Sequence, residues 1–386
     1  MQVRILISAG EASGDLYASR LVEVLKSRHP DAEFFGCAGP RMQKAGVRAI
    51  VDARSFSVVG LVEVIVHIPR IWREFRKLVK SSTTERTQLA ILTDSPDTHL
   101  RLAKKLKKRK IPVVYLIAPQ AWAWREGRVK TMRRTIDHLL CIFPFEEKFF
   151  NDRGVPTTFI GHPLARIVKP SMTAAEFRAA LKLPSEPEKP IVTLLPGSRH
   201  GEVERHIPFL LDAVQRIGPA YTYVLALPGG FGVEKSRFWE RIRESSIKVI
   251  EGSTWDALAH AELALAASGT VTIEAALMGV PMVSFYRVNA LSWILGRWLV
   301  RAPFLSMVNL VAGRKIVPEL IQDQMTGERV ASEAKNLLED RAARATMRAD
   351  LGEVARKLQS ERDPMEIAAE WIEKVFRESN ETVHAS

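Results

Sequence analysis

The chain has 386 residues, 46% hydrophobic and 26% charged, the composition of a soluble globular protein and long enough to expect two domains rather than one core. Lys and Arg number 56 against 44 Asp and Glu; the formal charge of +12 points to an anionic partner such as phosphate, nucleic acid or acidic lipid. No apolar run reaches the roughly 18 residues of a membrane-spanning helix, so a transmembrane protein is excluded.

Met1–Ile7 enters an apolar strand without the regions of a secretory signal, and a cytoplasmic location is expected. From Val3 to Phe143, apolar strands alternate with helical segments, the pattern of a parallel sheet covered by helices. Strands are predicted at Val3–Ser8, Glu33–Cys37, Leu89–Thr93, Val113–Ile117 and Leu139–Phe143. Cys37 and Cys141 are too few for a disulfide framework and lack ligand-spaced partners for zinc. A polar, proline-punctuated stretch from His162 to Pro190 reads as the linker. The alternation then restarts, with strands at Ile191–Leu195, Tyr223–Leu227, Lys248–Ile250, Leu263–Ala267 and Met282–Tyr286. The expectation is an α/β protein of two Rossmann-like, doubly wound domains, 1–165 and 166–345. Helices over 346–386 follow, with a docking site that cannot be read.

Ligands of open parallel sheets bind outside the carboxyl ends of the strands, so the residues there carry the functional reading. Leu195 runs into Pro196-Gly197-Ser198-Arg199, where backbone amides and a guanidinium suit phosphate oxygens. An ordinary turn with a surface arginine is the alternative. Ser268-Gly269-Thr270 opens a helix whose first amides suit an anion, and Glu274 one turn inside suits a ribose diol. Val271 stands where a capping box would need Ser or Thr, leaving helix-dipole stabilisation as the alternative for Glu274.

In the first half, Gly10-Glu11-Ala12-Ser13-Gly14-Asp15 lacks the G-x-G-x-x-G spacing of dinucleotide enzymes, which disfavours hydride chemistry. Gly14 allows a substrate close to the backbone, and Asp15 is either a substrate contact or the cap of the next helix. Asp94-Ser95-Pro96-Asp97 puts two carboxylates at a strand exit; Asp94 reads as a turn cap and Asp97 as a general base toward a sugar hydroxyl. Trp122 and Trp124 either line the cleft or staple the loop to the core. The tryptophan-bearing, basic stretch Val58–Val79, and Leu291–Leu305, suit an acidic lipid surface or a packed amphipathic helix. The run Lys104–Lys110 is a solvated helix face or an anion contact.

These segments, with Phe159-Ile160-Gly161-His162-Pro163 and Asn309-Leu310-Val311-Ala312-Gly313-Arg314, resemble in order those of the lipid-A-disaccharide synthase family over nearly the whole chain. The resemblance implies a GT-B fold with an interdomain cleft, a UDP-2,3-diacylglucosamine donor and 2,3-diacylglucosamine 1-phosphate as acceptor. It implies a β-1,6 bond formed with inversion and release of UDP, at the cytoplasmic face of a Gram-negative inner membrane whose anionic surface is the partner. Asp97 is then the base, Arg199 and the amides at Ser268–Thr270 offset charge on UDP together with Arg314, and Asn309 and Glu274 hold nucleotide or donor sugar. No Asp-x-Asp occurs, so metal-independent chemistry without a cofactor is expected. Nucleic acid is not an expected partner, and a homodimer is left open. The alternatives are a UDP-sugar epimerase of the same fold and a non-catalytic basic RNA- or lipid-binding protein.

Overall fold

The structure, a computed structural model, describes residues 3–53, 61–123, 126–184, 189–289, 293 and 302–384, without the side chains of 61–68 and 382–384. These residues divide into two compact units, the first running to Pro163 and resuming at Ser360, the second running from Leu164 to Gln359.

The first unit contains β1 (Arg4–Ala9), α1 (Ala12–Arg28), β2 (Glu33–Ala38), α2 (Pro40–Lys44), β3 (Arg48–Asp52), α3 (Leu61–Thr84), β4 (Leu89–Thr93) and α4 (Pro96–Lys107). It continues through β5 (Val113–Leu116), α5 (Arg128–Thr135), β6 (His138–Cys141), α6 (Pro144–Asn151) and β7 (Thr157–Phe159). The strands form one parallel sheet ordered β3-β2-β1-β4-β5-β6-β7. Its inner strands are apolar runs because helices cover both faces, as in α1, where Tyr17, Ala18, Leu21, Val22 and Leu25 are buried.

The second unit contains α7 (Leu164–Ile167), α8 (Ala174–Ala180), β8 (Ile191–Leu195), α9 (His200–Ile217), β9 (Thr222–Leu227), α10 (Trp239–Arg243), β10 (Lys248–Glu251) and α11 (Thr254–Ala259). Then come β11 (Leu263–Ala267), α12 (Thr270–Leu277), β12 (Met282–Tyr286), α13 (Met307–Ala312), β13 (Glu319–Ile321), α14 (Gly327–Glu339) and α15 (Arg341–Leu358). Its sheet is also parallel, ordered β10-β9-β8-β11-β12-β13.

The C-terminal helices divide between the units. Helix α15 stays in the second, while α16 (Pro364–His384) belongs to the first and packs on α1, β5 and β6. Arg28 of α1 bonds Glu366 and Glu373 of α16, and the His138 ring stacks on Trp371 at 4.0 Å. Among the described residues no helix is long and apolar enough to cross a membrane.

Strand order reverses between β1 and β4 in the first sheet and between β8 and β11 in the second. Adjacent loops diverge at such a point and leave a crevice at the carboxyl ends of the strands.

Candidate active site

In the first unit Ala9 pairs with Thr93, so the turns after β1 and β4 leave the sheet side by side at the reversal. Asp94 and Ser95 both have left-handed backbone, at φ 53 and 39. Ser95 also precedes Pro96, a position that disfavours this conformation. Such residues cost about 1–3 kcal/mol each and persist where their surroundings over-determine them. Here the Asp94 carboxylate accepts from Gly10 N at 2.8 Å and Glu11 N at 3.0 Å. Its main-chain carbonyl accepts from His99 Nδ1 at 3.0 Å and from the Tyr115 hydroxyl. Burial, aided by the charge of Glu11, raises the Asp94 pKa to about 8 although the Gly10 and Glu11 amides pull the other way. Burial lowers that of His99 to about 4. The neutral ring gives its Nδ1 proton to Asp94 and accepts the Ser8 hydroxyl at Nε2, 2.8 Å away.

Asp97 lies in the first turn of α4 with its side chain 64% exposed, 2.6 Å from Arg128 Nη2 at the start of α5. Asp15 is buried within α1 and accepts from Arg41 N and Met42 N, both at 3.0 Å. It therefore caps α2, correcting the expected cap of the helix it sits in. A Cβ on Gly14 would fall 1.8 Å from Asp94 Oδ2, and one on Gly10 would fall 2.2 Å from Ser95 Oγ. These glycines make room for the Asp94-Ser95 turn, a packing reason that local sequence does not reveal. Trp122 donates to Glu146 Oε1 at 2.9 Å and meets Phe145 edge-on, stapling its loop to the core. Glu146 is buried, which raises its pKa to about 8. Trp124 lies outside the described residues, as does most of Leu291–Leu305.

In the second unit Leu195 pairs with Ala266, so the Pro196–Arg199 and Ser268–Thr270 turns are likewise neighbours at the reversal. Ser198 is exposed, and Arg199, the N-cap of α9, has a side chain 44% exposed. Glu202, a residue the sequence reading missed, accepts from Ser198 N at 3.3 Å, Arg199 Nη1 at 3.4 Å and the Tyr286 hydroxyl at 3.0 Å. His206, also missed, has its pKa lowered by burial; it donates from Nδ1 to Pro196 O at 2.6 Å and accepts Arg287 N at 3.1 Å. Glu202, one turn after Arg199, was open to a helical-spacing argument. His206 meets Arg287 across 81 positions, and nothing local marks that pairing.

Helix α12 begins with neither a side-chain cap nor an acid in its first turn, leaving its leading amides suited to an anion. Ser268 is anchored by its amide to Phe285 O at 2.7 Å and by its hydroxyl to Leu305 O at 3.1 Å. Gly269 is the N-cap and Thr270 the first, exposed residue of the helix. Glu274 is half-buried; burial raises its pKa against the hydrogen bond from Trp255.

Two expected nucleotide contacts look different in the structure. Asn309 is fully buried, donating to Val317 O at 3.0 Å and Glu319 Oε1 at 2.7 Å while accepting Ile316 N at 2.7 Å and Val317 N at 3.0 Å. Both its donors and its oxygen are spent tying α13 to β13, so the expected ligand contact is corrected to a structural tie. Arg314 is exposed and makes a two-pronged bond to Asp350 of α15, at 3.1 and 2.6 Å. Among the described residues no cluster of three metal-ligating side chains occurs.

The sequence family described as lipid-A-disaccharide synthetase matches residues 5–371. The chain belongs to that family. A relative from Solibacter usitatus named lipid-A-disaccharide synthase is 59% identical over 92% of this chain and 93% of its own. The chain is thus a glycosyltransferase of lipid A disaccharide synthesis. Among solved structures, the glycotransferase of kitacinnamycin superposes with a TM-score of 0.65 at 16% identity, covering 97% of this chain and 100% of that one. A UDP-GlcNAc 2-epimerase from Neisseria meningitidis, solved bound to UDP-GlcNAc, gives 0.60 at 12% identity, with both chains fully covered. At such identity these likenesses speak to fold alone, which is GT-B; family membership decides for the transferase over the epimerase.

Proposed function

We propose that the chain transfers a 2,3-diacylglucosaminyl group from UDP to the 6-hydroxyl of 2,3-diacylglucosamine 1-phosphate with inversion, releasing UDP. The observation that carries this reading is that each sheet has its sequence motif at the strand reversal, a carboxylate pair in one unit and an anion-suited pair of turns in the other. The second unit grips UDP: the first amides of α12 and the Arg199 guanidinium offset the charge that grows on the leaving diphosphate. Ser198, Ser268, Gly269 and Thr270 shape that grip, and Glu274 accepts from the ribose. Arg314 joins them only by exchanging Asp350 for phosphate.

The general base belongs to the Asp94–Asp97 turn, and the geometry favours Asp94 over Asp97. Asp97 is largely exposed and engaged by Arg128, whereas burial brings Asp94 to about 8, near the pH where proton transfer is most efficient. Asp94 takes the hydroxyl proton as the oxygen attacks the anomeric carbon. Asp94→Asn is expected to lower kcat by about 10²–10⁴-fold while sparing UDP affinity, with a smaller loss for Asp97→Asn. The reverse order returns the role to Asp97. Disaccharide 1-phosphate and UDP formed from the two lipid substrates, with a β linkage, test the reaction itself.

A peripheral contact with an anionic membrane surface belongs to the same reading. Helix α3, which carries Arg70, Arg73, Arg76 and Lys77, packs beside α4, whose last turns carry Lys104, Lys105 and Lys107. Trp72 is 50% exposed with Arg76 over its ring at 4.6 Å. Such surfaces bind acidic headgroups. Co-sedimentation with phosphatidylglycerol vesicles, but not phosphatidylcholine vesicles, is expected.

A further inference from the structure

We propose that His99 and Tyr115 are positioning residues for Asp94, which they serve by holding its main-chain carbonyl and, through it, the left-handed turn that aims the carboxylate. The inference rests on the reading of Asp94 as the base. Neither residue belongs to a motif read from the sequence.

Two consecutive left-handed residues, the second before a proline, form a turn the chain does not adopt by local preference. Something must hold it. The Asp94 carbonyl takes two donors, from a strand neighbour and from its own helix: the Tyr115 hydroxyl on β5 and His99 Nδ1 on α4. Both side chains are buried or nearly so, and both bonds converge on one oxygen. Ser8 on β1 completes the set: the Asp94 carbonyl, which can only accept, puts the ring proton on Nδ1, and the Ser8 hydroxyl donates to the free Nε2. Below the turn, Thr98 N and His99 N donate to Ser95 O, both at 3.0 Å, closing the first turn of α4 on the strained residue. The three side chains come from α4 and from β1 and β5, the two strands that flank β4 in the sheet, so the carbonyl is referenced to the sheet rather than to its loop.

Tyr115→Phe removes one donor and keeps the ring. Loss of one of the two hydrogen bonds that hold the Asp94 carbonyl, and with it the aim of the carboxylate, is expected to lower kcat by about tenfold, with UDP affinity and the circular dichroism spectrum unchanged. In an Asp94→Asn background the same substitution is expected to change kcat by less than about twofold, because there is no base left to position. His99→Asn keeps an N–H close to the place of Nδ1 and is expected to retain most of the activity that His99→Leu loses. A Tyr115→Phe loss of equal size in both backgrounds overturns the proposal, as does full activity of Tyr115→Phe or of His99→Leu. Full activity of Asp94→Asn itself strikes instead at the assignment of the base, and so distinguishes the two failures.

Discussion

The two strand reversals use one fold plan for opposite ends. In the first unit the supports face inward: buried His99, Ser8 and Tyr115 hold one another and the main-chain carbonyl of Asp94 beneath a strained, partly buried turn. In the second the polar groups face outward: Ser198, Arg199 and Thr270 are partly or largely exposed, and buried Glu202 and His206 brace the loop from behind. A carboxylate that must titrate near neutrality needs burial, whereas a grip on a diphosphate needs donors open to it. The difference lies in the loops, since both sheets place their reversal beside the first strand of the unit.

The sharpest way to break that contrast is at the open end. Arg199→Ala removes the exposed guanidinium at the β8 exit and is expected to cut turnover by about 10²–10³-fold, the usual loss of one charge-stabilising donor. The fold should survive it. A variant that keeps wild-type turnover would leave the α12 amides as the whole grip. Next in size is Gly14→Ala at the closed end. Alanine normally favours a helix over glycine by about 1 kcal/mol, but here its Cβ would fall 1.8 Å from Asp94 Oδ2. Displacing a pinned carboxylate outweighs that gain, and a net destabilisation of about 1–3 kcal/mol is expected in urea unfolding. A stabilised, fully active Gly14→Ala enzyme would show that the turn yields freely and that its strain is not held from outside.

Which parts of this contrast were legible in the sequence follows from where the determining contacts lie. The ten strands predicted from apolar runs all exist, while β3, β7 and β13 were missed, and each is a sheet edge. Edge strands are covered less, so Arg48–Asp52 and Glu319–Ile321 carry charges within their few residues and show no run. The motifs at both reversals were visible because each is a contiguous turn at a strand exit. Their supports were not: Ser8 meets His99 across 91 positions and Gly10 meets Asp94 across 84, and only the sheet order brings them together. For the same reason the burial that leads us to propose Asp94 rather than Asp97 as the base cannot be read from the sequence. A carboxylate's burial depends on the neighbouring loop, and local spacing favours the more exposed of the two. The C-terminal helix was visible but its dock was not, since Arg28 and Glu373 lie 345 positions apart.

The expected effect that touches no residue is in stability against pH, and it separates the two units by titration alone. In the first unit burial lowers His99 and His138 to about 4 and His162 to about 3, from 6.5, and raises Asp94 and Glu146 to about 8, from 3.8 and 4.5. Between about pH 4.5 and 6.5 the unfolded chain binds protons on three imidazoles that the folded unit refuses. The folded unit binds two on carboxyls that the unfolded chain releases. The unfolded state holds about one proton more, so stability falls on acidification by on the order of 1 kcal/mol per pH unit. From 6.5 to 8 the imidazoles are neutral in both states and only the two carboxyl protons remain, on the folded side. Stability then falls with rising pH, at up to about twice that slope, and the first unit is most stable near pH 6.5. In the second unit the comparable shifts are those of His206 downward and Glu274 upward, one of each sign, so its profile is flatter. Hydrogen exchange across pH, comparing amides of β5 and β6 with those of β8 and β11, reads the two profiles separately. Asp94→Asn is expected to halve the alkaline slope of the first unit and leave the second untouched. A first-unit stability that stays level between pH 6.5 and 8 would mean that Asp94 is ionised throughout, removing the titration on which its choice over Asp97 depends.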